Sequence, residues 1–172
     1  MFPYRGKAPK IHSSAFIDPQ ARVLGDVIIG ENSVVMFGAI IRGDDAPVKI
    51  GNNVVVLENC IIEAPKDEPV IIGDWSLISH GAIVHGATVG AKVLIGIGAI
   101  VLDKAIIEEE SIVASGAVVP PGSKVNKRTL VGGIPAKPLR EVKDEDLKRV
   151  LKEVKRVIDK SRYYRETLGV KT

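Results

Sequence analysis

Histidine is scarce in this 172-residue chain, which has only 3, and two of them lie five positions apart. His80 and His85 bracket Gly81-Ala82-Ile83-Val84. A neutral imidazole is the commonest metal-ligating side chain, and two in adjacent structural units can share one ion. Glu63 adds a carboxylate. It follows Ile62 directly, as His85 follows Val84, so the two hold equivalent places in a repeating unit. Two imidazoles and one carboxylate make a set found in catalytic zinc sites, with a fourth position left for water. The plainer reading is a pair of corner histidines satisfied by backbone groups. Arg42-Gly43-Asp44-Asp45 is a second cluster. A guanidinium two residues from a carboxylate can pair with a neighbouring turn or subunit, although a charged corner is more often simply solvated. His12, in Lys10-Ile11-His12-Ser13-Ser14, has no reactive partner nearby and reads as a surface or capping residue.

The elements that must position these groups repeat every six residues. Ile17, Val23, Ile29, Val35 and Ile41 fall at that interval, each with a small or β-branched residue two places earlier. The series resumes at Ile50, Val56 and Ile62, breaks across residues 63–69, and continues from Ile72 to Val125 with one five-residue step from Val84 to Val89. Helices repeat near 3.6 and simple strands at 2. A period of six suits a short strand followed by a tight turn of the kind Gly, Asn and Asp make. Three such units close a triangular coil, one aliphatic side chain of each pointing inward over its counterpart in the next coil. The expectation is mainly β: a parallel β-helix of five to six coils, a solenoid whose layers touch only their neighbours. It spans residues 1–142. Residues 143–172 carry Leu147, Val150, Leu151, Val154, Val157 and Ile158 at helical spacing, which predicts an amphipathic helix packed along the outside. The Gly132-Gly133 pair, Pro135 and Pro138 form the crossover.

Composition agrees and excludes other classes. The chain is 45% hydrophobic but 4% aromatic, so its core is built from Val, Ile, Leu and Ala, and it is not a disordered chain. Of 24 basic and 21 acidic residues, 10 and 6 lie in 143–172. The basic pI of about 9.0 therefore belongs to the tail, and the body lacks the basic stripe of a nucleic-acid binder. No apolar run approaches the roughly 18 residues that span a bilayer, and residues 1–10 lack the apolar centre of a signal peptide. A single cysteine, Cys60, excludes an internal disulfide. Cytoplasmic residence is the default. Near-absence of glutamine beside plentiful Lys, Arg and Glu is a bias seen in thermophile proteins.

These residues together resemble the gamma-class carbonic anhydrase family of left-handed β-helix proteins. The resemblance is carried by His12-Ser13-Ser14-Ala15-Phe16-Ile17, by the coil from Val34 to Asp44, by Ile78-Ser79-His80-Gly81-Ala82-Ile83-Val84-His85-Gly86, and by Gly132-Gly133-Ile134-Pro135-Ala136-Lys137. The first and last are shared with hexapeptide-repeat acyltransferases. It implies a left-handed coil and a homotrimer holding zinc or iron between subunits on three histidines, two from one subunit and one from the next. His80 and His85 match two of them; the third lies 17 places before His80, where this chain has Glu63. The family's Gln-Asp-Asn stretch, which positions water at the metal, here reads Leu57-Glu58-Asn59. Arg42 and Asp44 match residues that organise the interface and the active site. The implied activity is reversible hydration of CO2 to bicarbonate, with Glu58 or Asn59 supporting the metal site.

The departures carry physical weight. A glutamate ligand brings negative charge, which weakens the acidification of water by the metal, and Leu57 removes an amide. Within residues 63–69, Lys66, Asp67 and Glu68 offer a place for a proton-shuttling acid, or a solvated loop. Three functions stay open: a metal-dependent anhydrase, a non-catalytic trimeric scaffold that kept the fold, and CoA-dependent acyl transfer with His80 or His85 as general base.

Overall fold

The computed structural model describes residues 1–168. The chain winds through about seven turns of a parallel β-solenoid, more than the five to six coils expected. The extra turns come from the ends: Lys10–Ile11 at the start and Thr129–Gly132 at the finish pair in register with the coils beside them. Most strands are two residues long, and alternation along an extended strand sends one side chain inward and one outward. The inward residues stack in register. Each turn has three faces. The second includes Ile61–Glu63, Ile83–His85, Ile100–Val101, Val118–Val119 and the start of Ile40–Ile50. On it Ile41, Ile62, Val84, Val101 and Val119 are partners in successive coils, each at most 1% exposed. A narrow interior fills with one branched aliphatic chain per unit, which is why aromatics are nearly absent from it.

The third face includes Val70–Ile72, Thr88–Val89, Ile106–Ile107 and Lys124–Val125, and the first includes Val34–Val35, Val55–Val56, Leu77–Ile78 and Leu94–Ile95. At the corner between the third face and the first, Asn53, Trp75, Lys92, Glu110 and Arg128 all adopt positive φ. This left-handed conformation costs about 1–2 kcal/mol for a residue with a Cβ. It is held because each of their N–H groups donates to a carbonyl of the coil before, as Lys92 does to Asp74 O at 2.8 Å. Buried Ser33 and Ser76 stiffen the same corner, each hydroxyl linking two coils. The Arg42-Gly43-Asp44-Asp45 segment is not the solvated turn its composition suggests. It lies inside one continuous strand, Ile40–Ile50, paired with Arg22–Ile29. The two strands bend together around the corner with one register shift, so the cluster is anchored by ladder hydrogen bonds.

The predicted helix runs from Asp144 to Thr167; residues 169–172 of the expected segment lie outside the described residues. It covers the first face. There the outward positions Phe16, Val34, Val55, Leu77, Leu94, Ile112 and Leu130 form one register column, which packs with Val150, Val154, Val157 and Ile158. At 1.5 Å per residue the 24-residue helix is about 36 Å long. Seven strands about 4.8 Å apart span about 29 Å, so the helix reaches from one end of the face to the other. Arg165 closes the far end, donating to Ala15 O at 2.8 Å and Ser14 O at 3.1 Å. The crossover before the helix contains a strand that the glycines and prolines had obscured, Lys137–Glu141, antiparallel to Thr129–Gly132.

Candidate functional site

The second face ends in a column of polar side chains. Arg42, Glu63 and His85 are register partners in three successive coils, each directly after an inward aliphatic residue. Arg42 is a hub. Its Nη1 lies 3.1 Å from Glu63 Oε1 and its Nη2 donates to Asp44 Oδ2 at 2.9 Å. The Arg42 contact holds the Asp44 carboxyl below its ordinary range, and the same bond raises the Arg42 guanidinium. The other oxygen, Asp44 Oδ1, is buried and has no partner. His85 is 31% exposed at its side chain, and its Nδ1 meets an Asp103 carboxylate oxygen. That leaves His85 Nε2 and Glu63 Oε2 uncommitted, on residues paired in register in adjacent coils.

His80 is elsewhere. It sits at the opposite edge of the same face, on the turn between Leu77–Ile78 and Ile83–His85. The expectation that Glu63, His80 and His85 occupy equivalent corners holds for Glu63 and His85 and not for His80. Its ring is the most exposed of the three side chains, and its Nε2 lies 3.0 Å from Glu58 Oε2. Among the described residues no group of three or more His, Cys, Asp and Glu side chains converges within one chain to hold a metal.

The neighbours of Glu58 take different roles. Leu57 is buried under the helix, where an amide would lack a partner. Asn59 adopts φ 59°, with its side chain laid against Gly38, whose missing Cβ makes the space. Cys60 points inward and donates to Ser79 O at 2.9 Å, and burial pushes its thiol up to about 12. In the loop at 63–69, Glu68 pairs with Lys104 at 3.1 Å, which pins the loop beside Gly86. His12 behaves as the capping residue expected, its Nδ1 accepting from Ser14 N at 3.2 Å. Asp103 is the site residue that motif reasoning missed. The available signal was its place 18 residues, three six-residue units, after His85.

No helix among the described residues is long and apolar enough to cross a membrane. The family model for bacterial transferase hexapeptide repeats (six repeats) matches residues 8–43. A carbonic anhydrase of Geobacillus kaustophilus is 40% identical over 96% of this chain and 91% of its own length. The mitochondrial gamma carbonic anhydrase 1 of Arabidopsis thaliana is 37% identical over 82% of this chain, which spans 54% of that protein. A Bacillus cereus crystal structure named as a candidate acetyltransferase superposes with a TM-score of 0.94 at 37% identity, covering 96% of each chain. With the repeat, the solenoid and these relatives together, the chain belongs to the gamma-class carbonic anhydrase-like family of hexapeptide-repeat proteins.

Proposed function

We propose that the protein interconverts CO2 and bicarbonate at the Arg42–Glu63–His85 corner, with His80 completing the site across a homotrimer. One observation carries this reading. Glu63 and His85 are partners at one edge of the second face, and His80 sits at the other edge. A single chain thus offers part of a site at each edge, and copies set side by side bring the parts together. The outward residues between those edges, Ile40, Ile61, Ile83, Ile100 and Val118, form an apolar column. The helix covers the corresponding column on the first face and leaves this one to a neighbouring copy.

The residues suit a resident metal. Two imidazoles and a carboxylate are a ligand set for zinc or iron, and Glu63 and His85 each keep one donor atom free after their contacts to Arg42 and Asp103. Bound there, zinc or iron would act as a Lewis acid that brings water toward hydroxide near neutral pH. Arg42 holds Glu63 in place, offsets its charge and attracts bicarbonate. Asp44 Oδ1, buried and unpartnered, is a hydrogen-bond acceptor that orients a water, and its carboxyl, held below the ordinary range by Arg42, does not take the proton. Ile61 and Ile83 beside the corner give apolar CO2 a dry approach, and Glu58 orients His80.

Metal analysis of protein purified without chelator should find about one zinc or iron per subunit, the stoichiometry of such sites. Stopped-flow CO2 hydration compares wild type with His85→Ala. Equal rates overturn the catalytic reading and leave the trimeric scaffold. Glu63→His, which restores the family ligand, should raise the rate. A second reading, CoA-dependent acyl transfer with His80 or His85 as general base, is favoured by the Bacillus cereus neighbour's name. Release of free thiol from acetyl-CoA with amine acceptors tests it.

A further inference from the structure

We propose that Asp103 is a positioning residue that fixes the tautomer of His85, keeping the proton on Nδ1 and presenting a bare Nε2 to the metal. The inference deepens the metal-site reading above and rests on it for its functional meaning. An imidazole in water favours the proton on Nε2, the tautomer that offers the wrong nitrogen at this corner. A carboxylate at Nδ1 reverses that preference, because the N–H must face the acceptor.

Three observations support the role. Asp103 meets His85 Nδ1 directly. An aspartate in a tight turn usually bonds its own backbone two residues on, whereas the Asp103 carboxylate makes no such bond and has His85 as its hydrogen-bond partner. The approach is also built for it. Gly86 has φ 55°, and a Cβ there would stand 2.7 Å from Asp103 Oδ1, 3.1 Å from Glu68 Cβ and 3.2 Å from Pro65 Cγ. A side chain at 86 would displace the carboxylate or the loop that packs beside it. Glu63 faces His85 from the coil before, and Lys104 is turned away to Glu68.

The test needs no metal for its first readout. With 3 histidines in the chain, proton–nitrogen correlation spectra of the imidazoles resolve each ring at a pH where it is neutral. His85 should carry its proton on Nδ1 in the wild type and on Nε2 in Asp103→Ala. The same tautomer in both proteins overturns the proposal. The second readout is zinc affinity of the full chain by chelator competition. Loss of such an outer partner weakens metal binding roughly ten- to a hundredfold. Asp103→Ala should show that loss, and Asp103→Asn, which keeps an accepting oxygen, a smaller one. Gly86→Ala should reproduce the Asp103→Ala tautomer through displacement. If His85→Ala binds zinc as tightly as wild type, the metal site itself is refuted, while the tautomer result still decides the role of Asp103.

Discussion

Asp146 is the point at which the helix is fastened to the solenoid, and its removal should loosen the strap without touching the site. Its side chain is 6% exposed. It accepts from the Lys143 N–H at 3.0 Å, closing the first turn, and from Arg140 Nη1 at 2.6 Å, with Arg149 on its other oxygen. Loss of a helix-start acceptor costs about 1 kcal/mol. The two arginines are largely exposed and return to water, so their pairs add only about 0.5 kcal/mol each. Asp146→Ala should therefore destabilise by about 2 kcal/mol in urea at neutral pH, lowering Tm by about 4–8 °C for a chain of this size. The loss should depend on pH. Hydrogen bonding from Arg140, then from the Lys143 N–H, holds the carboxyl far below its ordinary range in the folded state. A depressed folded pKa gives stability that is complete above the unfolded value of about 3.9 and declines as pH falls below it. The gap between wild type and variant should thus be constant from pH 8 to about 5 and narrow below about 4. A gap under about 0.5 kcal/mol at neutral pH, or one that widens in acid, would refute this account.

Other outcomes follow from the same contacts. Ile62→Ala, fully buried between Ile41 and Val84, should cost about 2–5 kcal/mol in denaturant unfolding. Cys60, raised to about 12 by burial, stays a thiol at pH 8, and the native protein should resist maleimide or disulfide reagents that label it at once in urea. Arg165→Ala removes the bonds to the first turn and should raise hydrogen exchange across residues 160–167 while costing about 1 kcal/mol.

The solenoid was legible because its signal is redundant. Ile29, Val35 and Ile41 say the same thing in successive units, and a period of six admits few other folds. The ends were not, since Ile11 and Val131 have no full unit beyond them to extend the series, and so the turns were undercounted. The strand at Lys137–Glu141 was hidden by Pro138, which an edge strand tolerates but which reads as a breaker. Glu63 and His85 were paired correctly because equal offsets from inward residues place side chains at equal corners. His80 fell outside that rule: it lies two places after Ile78, on a different edge. Arg42 follows Ile41 as Glu63 follows Ile62, and its pairing with a neighbouring turn was legible, but not that Glu63 is the partner. Arg42 lies 21 residues earlier across an irregular insertion, and nothing in the local sequence says that the strand continues through it. Leu57 shows the opposite case. Its exchange from the family's amide looked like a lost catalytic group, and its burial under the helix supplies a packing role.

The long helix alters how the molecule must assemble. A stack of coils can add turn upon turn, each step closing a loop of about 18 residues, so ordering could begin anywhere and spread in either direction. The bond from Arg165 to the first turn instead joins groups 150 residues apart, which is the slowest kind of closure and comes after the face beneath it exists. Once made, it turns a row of semi-independent turns into one cooperative unit. Opening the coil that carries His85 then requires breaking a row clamped at both ends, and local fraying from either terminus stops at the helix before it reaches the site.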